Sequence, residues 1–189
     1  LVSDSSGITY NENSSTFFVI HNGICDIDEI YSNGSLIRTI NLTDFEDCEG
    51  ITYLNTTGND HWFAIVEEAK AQIHNIRINS SIDNITSGDS NHIEYNRPAN
   101  LGNLGNNGFE GIDYDKVRDL YYVVKERVPM EVYEINLSAS PMNANTLFNA
   151  TEMFGGVISD ISGLYYHSDT DTLFILSHEN QTILNVYLN

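Results

Sequence analysis

Glu49-Gly50-Ile51-Thr52-Tyr53 recurs in variant form along this 189-residue chain. Ser6-Gly7-Ile8-Thr9-Tyr10 precedes it, and Glu110-Gly111-Ile112-Asp113-Tyr114 and Ser162-Gly163-Leu164-Tyr165-Tyr166 come after it. The pattern is Ser or Glu, then Gly, then Ile or Leu, then any residue, then Tyr. Three residues before the Gly stands Asp4, Asp47 or Asp160, with Gly108 in the remaining copy. The glycines are 43, 61 and 52 residues apart, a period that belongs to propeller blades more than to shorter solenoid repeats.

Each copy leads into a β-like segment. These segments are Phe17-Phe18-Val19-Ile20, Trp62-Phe63-Ala64-Ile65-Val66, Leu120-Tyr121-Tyr122-Val123-Val124 and Leu173-Phe174-Ile175-Leu176. Short runs of branched and aromatic residues bounded by polar turns read as buried strands. A third segment, at 27–31, 73–76, 132–135 and 183–186, alternates apolar and polar residues. In the first repeat Asn33-Gly34 leads to a fourth run, Leu36-Ile37-Arg38-Thr39-Ile40, and Asn-Gly between such runs signals a hairpin. Four antiparallel strands make a propeller blade. The sequence therefore predicts an all-β chain, one β-propeller domain over 1–189 with about four blades at 4–45, 47–97, 108–150 and 160–189. The last blade lacks its fourth strand. Residues 79–107, rich in Asn, Ser, Asp and Gly, read as a long outer hairpin plus a connection.

The formal charge of −19, from 8 Lys and Arg against 27 Asp and Glu, argues against nucleic acid and anionic membrane surfaces, which need a cationic footprint. It favours cations and basic partners. No apolar run approaches the length that spans a bilayer, so no membrane insertion is expected. The chain begins at Leu1 without Met, which fits removal of a signal peptide, or a fragment.

Nine of the 23 Asn open an Asn-x-Ser/Thr sequon: Asn13, Asn33, Asn41, Asn55, Asn79, Asn84, Asn136, Asn149 and Asn180. Chance gives about four in this composition, so the excess points to a secreted, N-glycosylated protein rather than only an Asn-rich one. Cys25 lies in the loop after a second strand and Cys48 before the next blade's first strand. In a propeller both loops open on one face, so a Cys25–Cys48 disulfide is expected in an oxidising compartment, with two buried thiols as the alternative. The expected location is extracellular or the cell surface, or the periplasm in a bacterium.

The residue before each Gly (Ser6, Glu49, Glu110, Ser162) belongs at the mouth of the central channel, with Asp4, Asp47 and Asp160 behind it. The ends of the second strands bring Glu67, Glu68, Glu126 and Glu179 to the same face, with His21 and His178 nearby. Hard oxygen ligands converging on a polar channel suit Ca²⁺ or Mg²⁺. In that reading Glu49 and Glu110 are the core metal ligands, assisted by Asp47 or Asp160. The competing reading makes these acids caps for strand and turn amides, repeated because each blade needs them. The six His have no metal spacing, and no G-x-S-x-G or Cys–His pairing stands out, so no catalytic residue is assigned. The period of Tyr10, Tyr53, Tyr114 and Tyr166 is explained better by packing between blades than by ligand stacking.

The ordered runs Ser-Gly-Ile-Thr-Tyr-Asn at 6–11, Asp-Cys-Glu-Gly-Ile-Thr-Tyr at 47–53, Gly-Phe-Glu-Gly-Ile-Asp-Tyr-Asp at 108–115 and Asp-Ile-Ser-Gly-Leu-Tyr-Tyr at 160–166 resemble the SdiA-regulated (YjiK-like) family of β-propeller proteins over nearly the whole chain. The resemblance implies a propeller, an extracytoplasmic location and no well-defined activity. Family members usually continue into a further Glu-Gly-led repeat, which is absent here. More distantly, the Glu-Gly placement is similar to that of Ca²⁺-dependent lactonase and paraoxonase propellers, which implies metal held by channel-mouth acids. Ser6 and Ser162 depart from a full acidic ring.

The expected function is a non-catalytic, secreted, glycosylated binding or structural module with a Ca²⁺-binding mouth. The alternative is a metal-dependent lactonase, esterase or phosphatase-type hydrolase with metal in the channel. The strand at 183–188 should expose an unpaired edge, unless Leu1-Val2-Ser3 supplies a stub. That edge predicts strand addition by a protein partner or by self-assembly, up to an extracellular fibre.

Overall fold

In the computed structural model, which describes residues 4–96, 98–127, 129–136 and 138–188, four sheets are arranged as a four-bladed β-propeller. Blade 1 comprises β1 (Ser5–Asn11), β2 (Thr16–His21), β3 (Ile27–Ile30) and β4 (Leu36–Thr43). Blade 2 comprises β5 (Cys48–Thr57), β6 (Asp60–Glu67), β7 (Gln72–Ile78) and, after the short β8 (Asn84–Thr86), β9 (Ile93–Asn96). Blade 3 holds β10 (Phe109–Asp115), β11 (Leu120–Lys125), β12 (Glu131–Asn136) and β13 (Ala144–Asn149), with α1 (Ala150–Phe154) behind it. Blade 4 holds β14 (Gly163–His167), β15 (Thr172–Ser177) and β16 (Thr182–Tyr187), with no fourth strand among the described residues. The predicted stub Leu1-Val2-Ser3 lies outside the described residues.

The alternation of side chains along each strand gives a blade two faces, and in blades 2 and 3 each face enters a different core. Phe18, Ile20 and Ile27 of blade 1 meet Ile51, Phe63 and Ile65 of blade 2, with Phe18 and Phe63 rings 4.4 Å apart. On the other side of blade 2, Ala64, Val66 and Ile73 meet Phe109, Ile112 and Val123 of blade 3. Tyr122, Val124 and Val132 then meet Tyr166, Leu173 and Ile175 of blade 4. A fully buried Phe or Ile contributes roughly 1.5–3 kcal/mol, so the array is held by its blade-to-blade cores.

The first strands pack glycine on glycine around the channel. A Cβ on Gly50 would lie 3.0 Å from the Gly111 Cα, and one on Gly111 3.0 Å from the Gly163 Cα. That approach accounts for glycine at Gly7, Gly50 and Gly111 of the motif.

The connection at 79–107 differs from its expected form. β9 completes blade 2, but β8 crosses back to run parallel to β4 of blade 1, with Asn41 opposite Asn84. Arg38 holds it there, donating to the carbonyls of Asn79 (2.7 Å) and Ile82 (3.0 Å), while Ile85 is buried in the first core. Three residues are too few to display a strand period.

Candidate functional site

The glutamates of the motif face the channel mouth because of a repeated β-bulge. The pairing of the first two strands skips one residue between Ser5 and Gly7, between Cys48 and Gly50, and between Phe109 and Gly111. The skipped residues are Ser6, Glu49 and Glu110. An unpaired extra residue bends the strand and re-aims its side chain. In blade 4 the strand begins at Gly163, and Ser162 instead donates its amide to the Leu176 carbonyl at 2.9 Å.

The position three before the Gly is a backbone device. Asp4 and Asp47 have φ of 74° and 59°, a left-handed conformation that Asp tolerates better than most residues. The carbonyls of Asp4, Asp47 and Gly108 accept the amides of Asn22 (3.0 Å), Glu68 (2.9 Å) and Glu126 (3.0 Å). Each bond closes the end of a second strand onto the mouth. At Gly108 a Cβ would overlap the Glu68 carbonyl oxygen, and its amide donates to Glu68 Oε1 at 3.1 Å.

The outcome is an acidic patch. Carboxylate oxygens of Asp47, Glu49 and Glu68 lie within 4.8 Å of one another, as do those of Glu68, Glu110 and Glu126. Glu68 is common to both sets, and such a group can hold a metal ion. Burial pushes Glu49 up to about 6, against hydrogen bonds from Ser6 and Asn22. Burial, a hydrogen bond with Asp47 and the neighbouring negative charges push Glu68 up to about 8. Glu110 rises furthest, to about 9, from burial and the charges of Glu49, Glu68, Glu126 and Asp47. Arg127 is ion-paired to Glu126 and, at 2.9 Å, to Glu179.

Of the four residues expected to be metal ligands, the structure brings Asp47, Glu49 and Glu110 to this patch and places Asp160 elsewhere. Asp160 is buried in blade 4, accepting from the Ser177 hydroxyl and from the amides of His178 (3.1 Å) and Glu179 (3.3 Å). That is the amide-capping role weighed against metal binding. Glu67 also turns away, to His74 Nε2 at 2.6 Å, the Glu46 amide at 2.8 Å and Lys70 at 3.2 Å. Burial alone would raise Glu67, but these partners outweigh it and hold the carboxyl below its usual range. His21 likewise faces Asp28 at 3.1 Å inside blade 1.

Cys25 and Cys48 form a disulfide with Cα atoms 5.2 Å apart. It pins the Asn22–Cys25 turn, whose Asn22 side chain donates to Glu49, against the strand that carries Asp47 and Glu49.

The fourth residue of the motif, variable in sequence, carries an inter-blade link. Thr9 Oγ1 accepts the Tyr53 amide at 3.0 Å, Thr52 Oγ1 donates to Asp113 Oδ1 at 2.6 Å, and Asp113 Oδ2 accepts the Tyr166 amide at 2.7 Å. Only the short polar character of Thr9, Thr52 and Asp113 signalled it.

Among the sequons, Asn13, Asn33, Asn41, Asn55, Asn84 and Asn180 are exposed, while Asn79, Asn136 and Asn149 are half-buried. In Asn33, Asn79 and Asn136 the side-chain oxygen accepts both the amide and the hydroxyl of the Ser two residues on.

The model of the SdiA-regulated family matches residues 1–189, the whole chain, so the protein belongs to that family. Among solved structures, a chain of the crystal structure of a nidogen/laminin complex matches 97% of this chain and 60% of its own length at 14% identity, with a TM-score of 0.65. A putative 6-phosphogluconolactonase from Bacteroides uniformis matches 96% of this chain and 49% of its own length at 7% identity, with a TM-score of 0.59. Both likenesses are of fold, and this chain spans 60% and 49% of those chains.

Proposed function

With membership of the SdiA-regulated family as the premise, we propose that the chain is a secreted, N-glycosylated, non-catalytic propeller that serves as a binding or structural module and holds Ca²⁺ at its acidic mouth. The observation that carries the cation is the convergence of five carboxylates, those of Asp47, Glu49, Glu68, Glu110 and Glu126, on one another. Arg127, paired with Glu126 at the edge of the patch, offsets a single one of these charges. An all-oxygen, multi-carboxylate site fits a hard divalent cation, and a bound cation offsets the repulsion that raises Glu110 and Glu68.

Secretion is supported by the disulfide and by the exposed sequons. Among the described residues no helix is long and apolar enough to cross a membrane. The edge of β16, which pairs only with β15 among the described residues, supports a partner or a further subunit adding a strand at 183–188. The nidogen/laminin likeness, from a structure that is a protein complex, is in keeping with a binding role. His21 and His74 face Asp28 and Glu67 inside the blades, so neither histidine serves the hydrolase alternative at the mouth.

The test is a thermal melt with chelator and with a Ca²⁺ series. Melting temperature should climb with free Ca²⁺ by mass action, and Glu49→Gln should remove most of the gain. A melt unchanged by Ca²⁺ rejects the cation site. Glycopeptide mapping of protein from a secreting host tests the rest: sugar is expected on Asn13, Asn33 and Asn55, and absence from every sequon rejects the glycoprotein reading.

A further inference from the structure

Blades 2 and 3 each have a neighbouring blade on both sides. Between them, at the strand ends opposite the acidic mouth, lies a cleft of about 290 Å³, near the lower end of ligand pockets. Its blade 2 wall follows from the register. Asn55 stands opposite Trp62, Ala64 opposite Asn75, and Asn75 opposite Glu94, so these side chains share the face that looks at blade 3. On blade 3, Tyr114 and Tyr121 stand opposite each other with rings 5.3 Å apart and form the facing wall.

The polar groups of the cleft are only partly used within the chain. Asn75 is 7% exposed, on a face otherwise formed by Ala64, Val66 and Ile73. Its side-chain oxygen accepts the Tyr121 hydroxyl at 2.8 Å in a buried bond. Its amide nitrogen has no acceptor among the described residues, yet it is not sealed from solvent, and the cleft it lines is the way out. Buried amides normally have their donors satisfied by protein or ordered water. The Trp62 indole N–H, which can only donate, likewise bonds to no described residue. On the rim Tyr114 donates to Asp119 Oδ1 at 2.7 Å and so orients an exposed carboxylate, and Glu94 brings a second.

We infer that this cleft binds a pyranose ring of a saccharide, stacked on Trp62, with its hydroxyls accepting from the Asn75 amide and donating to Asp119 and Glu94. A sugar ring presents C–H groups that the negative face of an indole attracts, and each of its hydroxyls both donates and accepts. An ammonium group would suit the indole and the carboxylates but would leave two N–H donors facing it. An anion would be repelled by Asp119 and Glu94. The inference gives the binding-module reading a ligand class, at a site apart from the carboxylates proposed to hold Ca²⁺. Two sources can supply the ring. Asn55 opens the sequon Asn55-Thr56-Thr57 and stands opposite Trp62, so the first sugar of a glycan there is tethered beside the indole at high effective concentration. The other source is free saccharide; only the first rests on the glycoprotein reading.

Trp62 is the chain's one tryptophan, so its fluorescence reports on this cleft. Protein from an oxidising host compartment without N-glycosylation is titrated with glucose, galactose, mannose and N-acetylglucosamine. At least one should change the emission saturably, and Asn75→Ala and Asp119→Gly should each weaken that binding about tenfold, the loss of one hydrogen bond. Asp119 has φ of 56°, which glycine adopts without strain, so this variant serves should Asn75→Ala fail to fold. For the tethered source, wild type and Asn55→Gln from a secreting host are compared. The glycan should shield Trp62 from acrylamide quenching, and Asn55→Gln should remove the shielding. A saturable titration supports free saccharide, and glycan-dependent shielding without one supports the tethered ring. No emission change with any of the sugars overturns the inference when quenching is equal in wild type and Asn55→Gln, or when Asn55 carries no glycan. A change produced by methylammonium and by none of the sugars overturns it in favour of a cation. The Ca²⁺ melt reads the acidic mouth separately, so failure of one site is told from failure of the other.

Discussion

Glu110→Gln tests the acidic mouth directly, since glutamine keeps the size of the side chain and the neutrality of its protonated form. Glu110 is raised from 4.5 to about 9 by burial and by the neighbouring carboxylates. Between those values the folded chain holds a proton there that the unfolded chain has released. Folding stability therefore falls as pH rises through that window, at up to ~1.4 kcal/mol per pH unit for one group. Glu110 is partly exposed, and solvent screening reduces the total to about 1–2 kcal/mol at pH 8. In chelator, wild type and Glu110→Gln should melt together at pH 4.5, and the variant should melt higher as pH rises. The gap at pH 8 should reach about 4 °C for a chain of this size. Excess Ca²⁺ should reverse the order, because a wild type with Ca²⁺ at a hundred times its Kd gains ~2.7 kcal/mol that the variant largely lacks. Scanning fluorimetry or calorimetry at several pH values reads both. Parallel melting curves across the pH range would refute the reasoning.

Three further substitutions probe how the mouth is built. Gly108→Ala should destabilise the chain by roughly 2 kcal/mol or more, since the new methyl overlaps the Glu68 carbonyl, and should weaken the Ca²⁺ response in the same melts. Cys25→Ser with Cys48→Ser removes a link across 23 residues and should cost about 3 kcal/mol in chemical denaturation; a reducing agent should lower the wild type equally and leave the variant unchanged. Asp113→Ala leaves the buried Thr52 hydroxyl and the Tyr166 amide without their acceptor and should lower stability by about 2–3 kcal/mol in urea melts, with blade 4 losing amide-exchange protection first.

The local pattern of the sequence determined most of the fold. A Gly-led strand, an aromatic strand and an alternating strand, repeated four times, leave few arrangements that bury the apolar faces of neighbouring sheets against one another, and the blades are the consequence. Cys25–Cys48 was legible for the same reason, because strand direction alone puts both loops on one face. Asp47, Glu49 and Glu110 were legible as residues of one mouth because the motif repeats them.

The rest depended on contacts that no local period encodes. The bulges that turn Glu49 and Glu110 inward show only in the pairing register, whereas Glu68 and Glu126, read from the sequence as second-strand ends on the same face, are held there by the carbonyls of Asp47 and Gly108. Asp160 carries the same motif position but serves the amides of His178 and Glu179, and the motif residue that follows it in blade 4, Ser162, brings no carboxylate. β8 was invisible as a three-residue strand that gains its stability from Arg38 and a buried Ile85 in another blade. Thr9, Thr52 and Asp113 looked variable because what they share is a short polar side chain bonded across blades, as donor in Thr52 and as acceptor in Thr9 and Asp113. The strand pattern is a one-dimensional signal fixed by burial, whereas bulges, caps and inter-blade acceptors are settled only when distant backbone groups must be satisfied together.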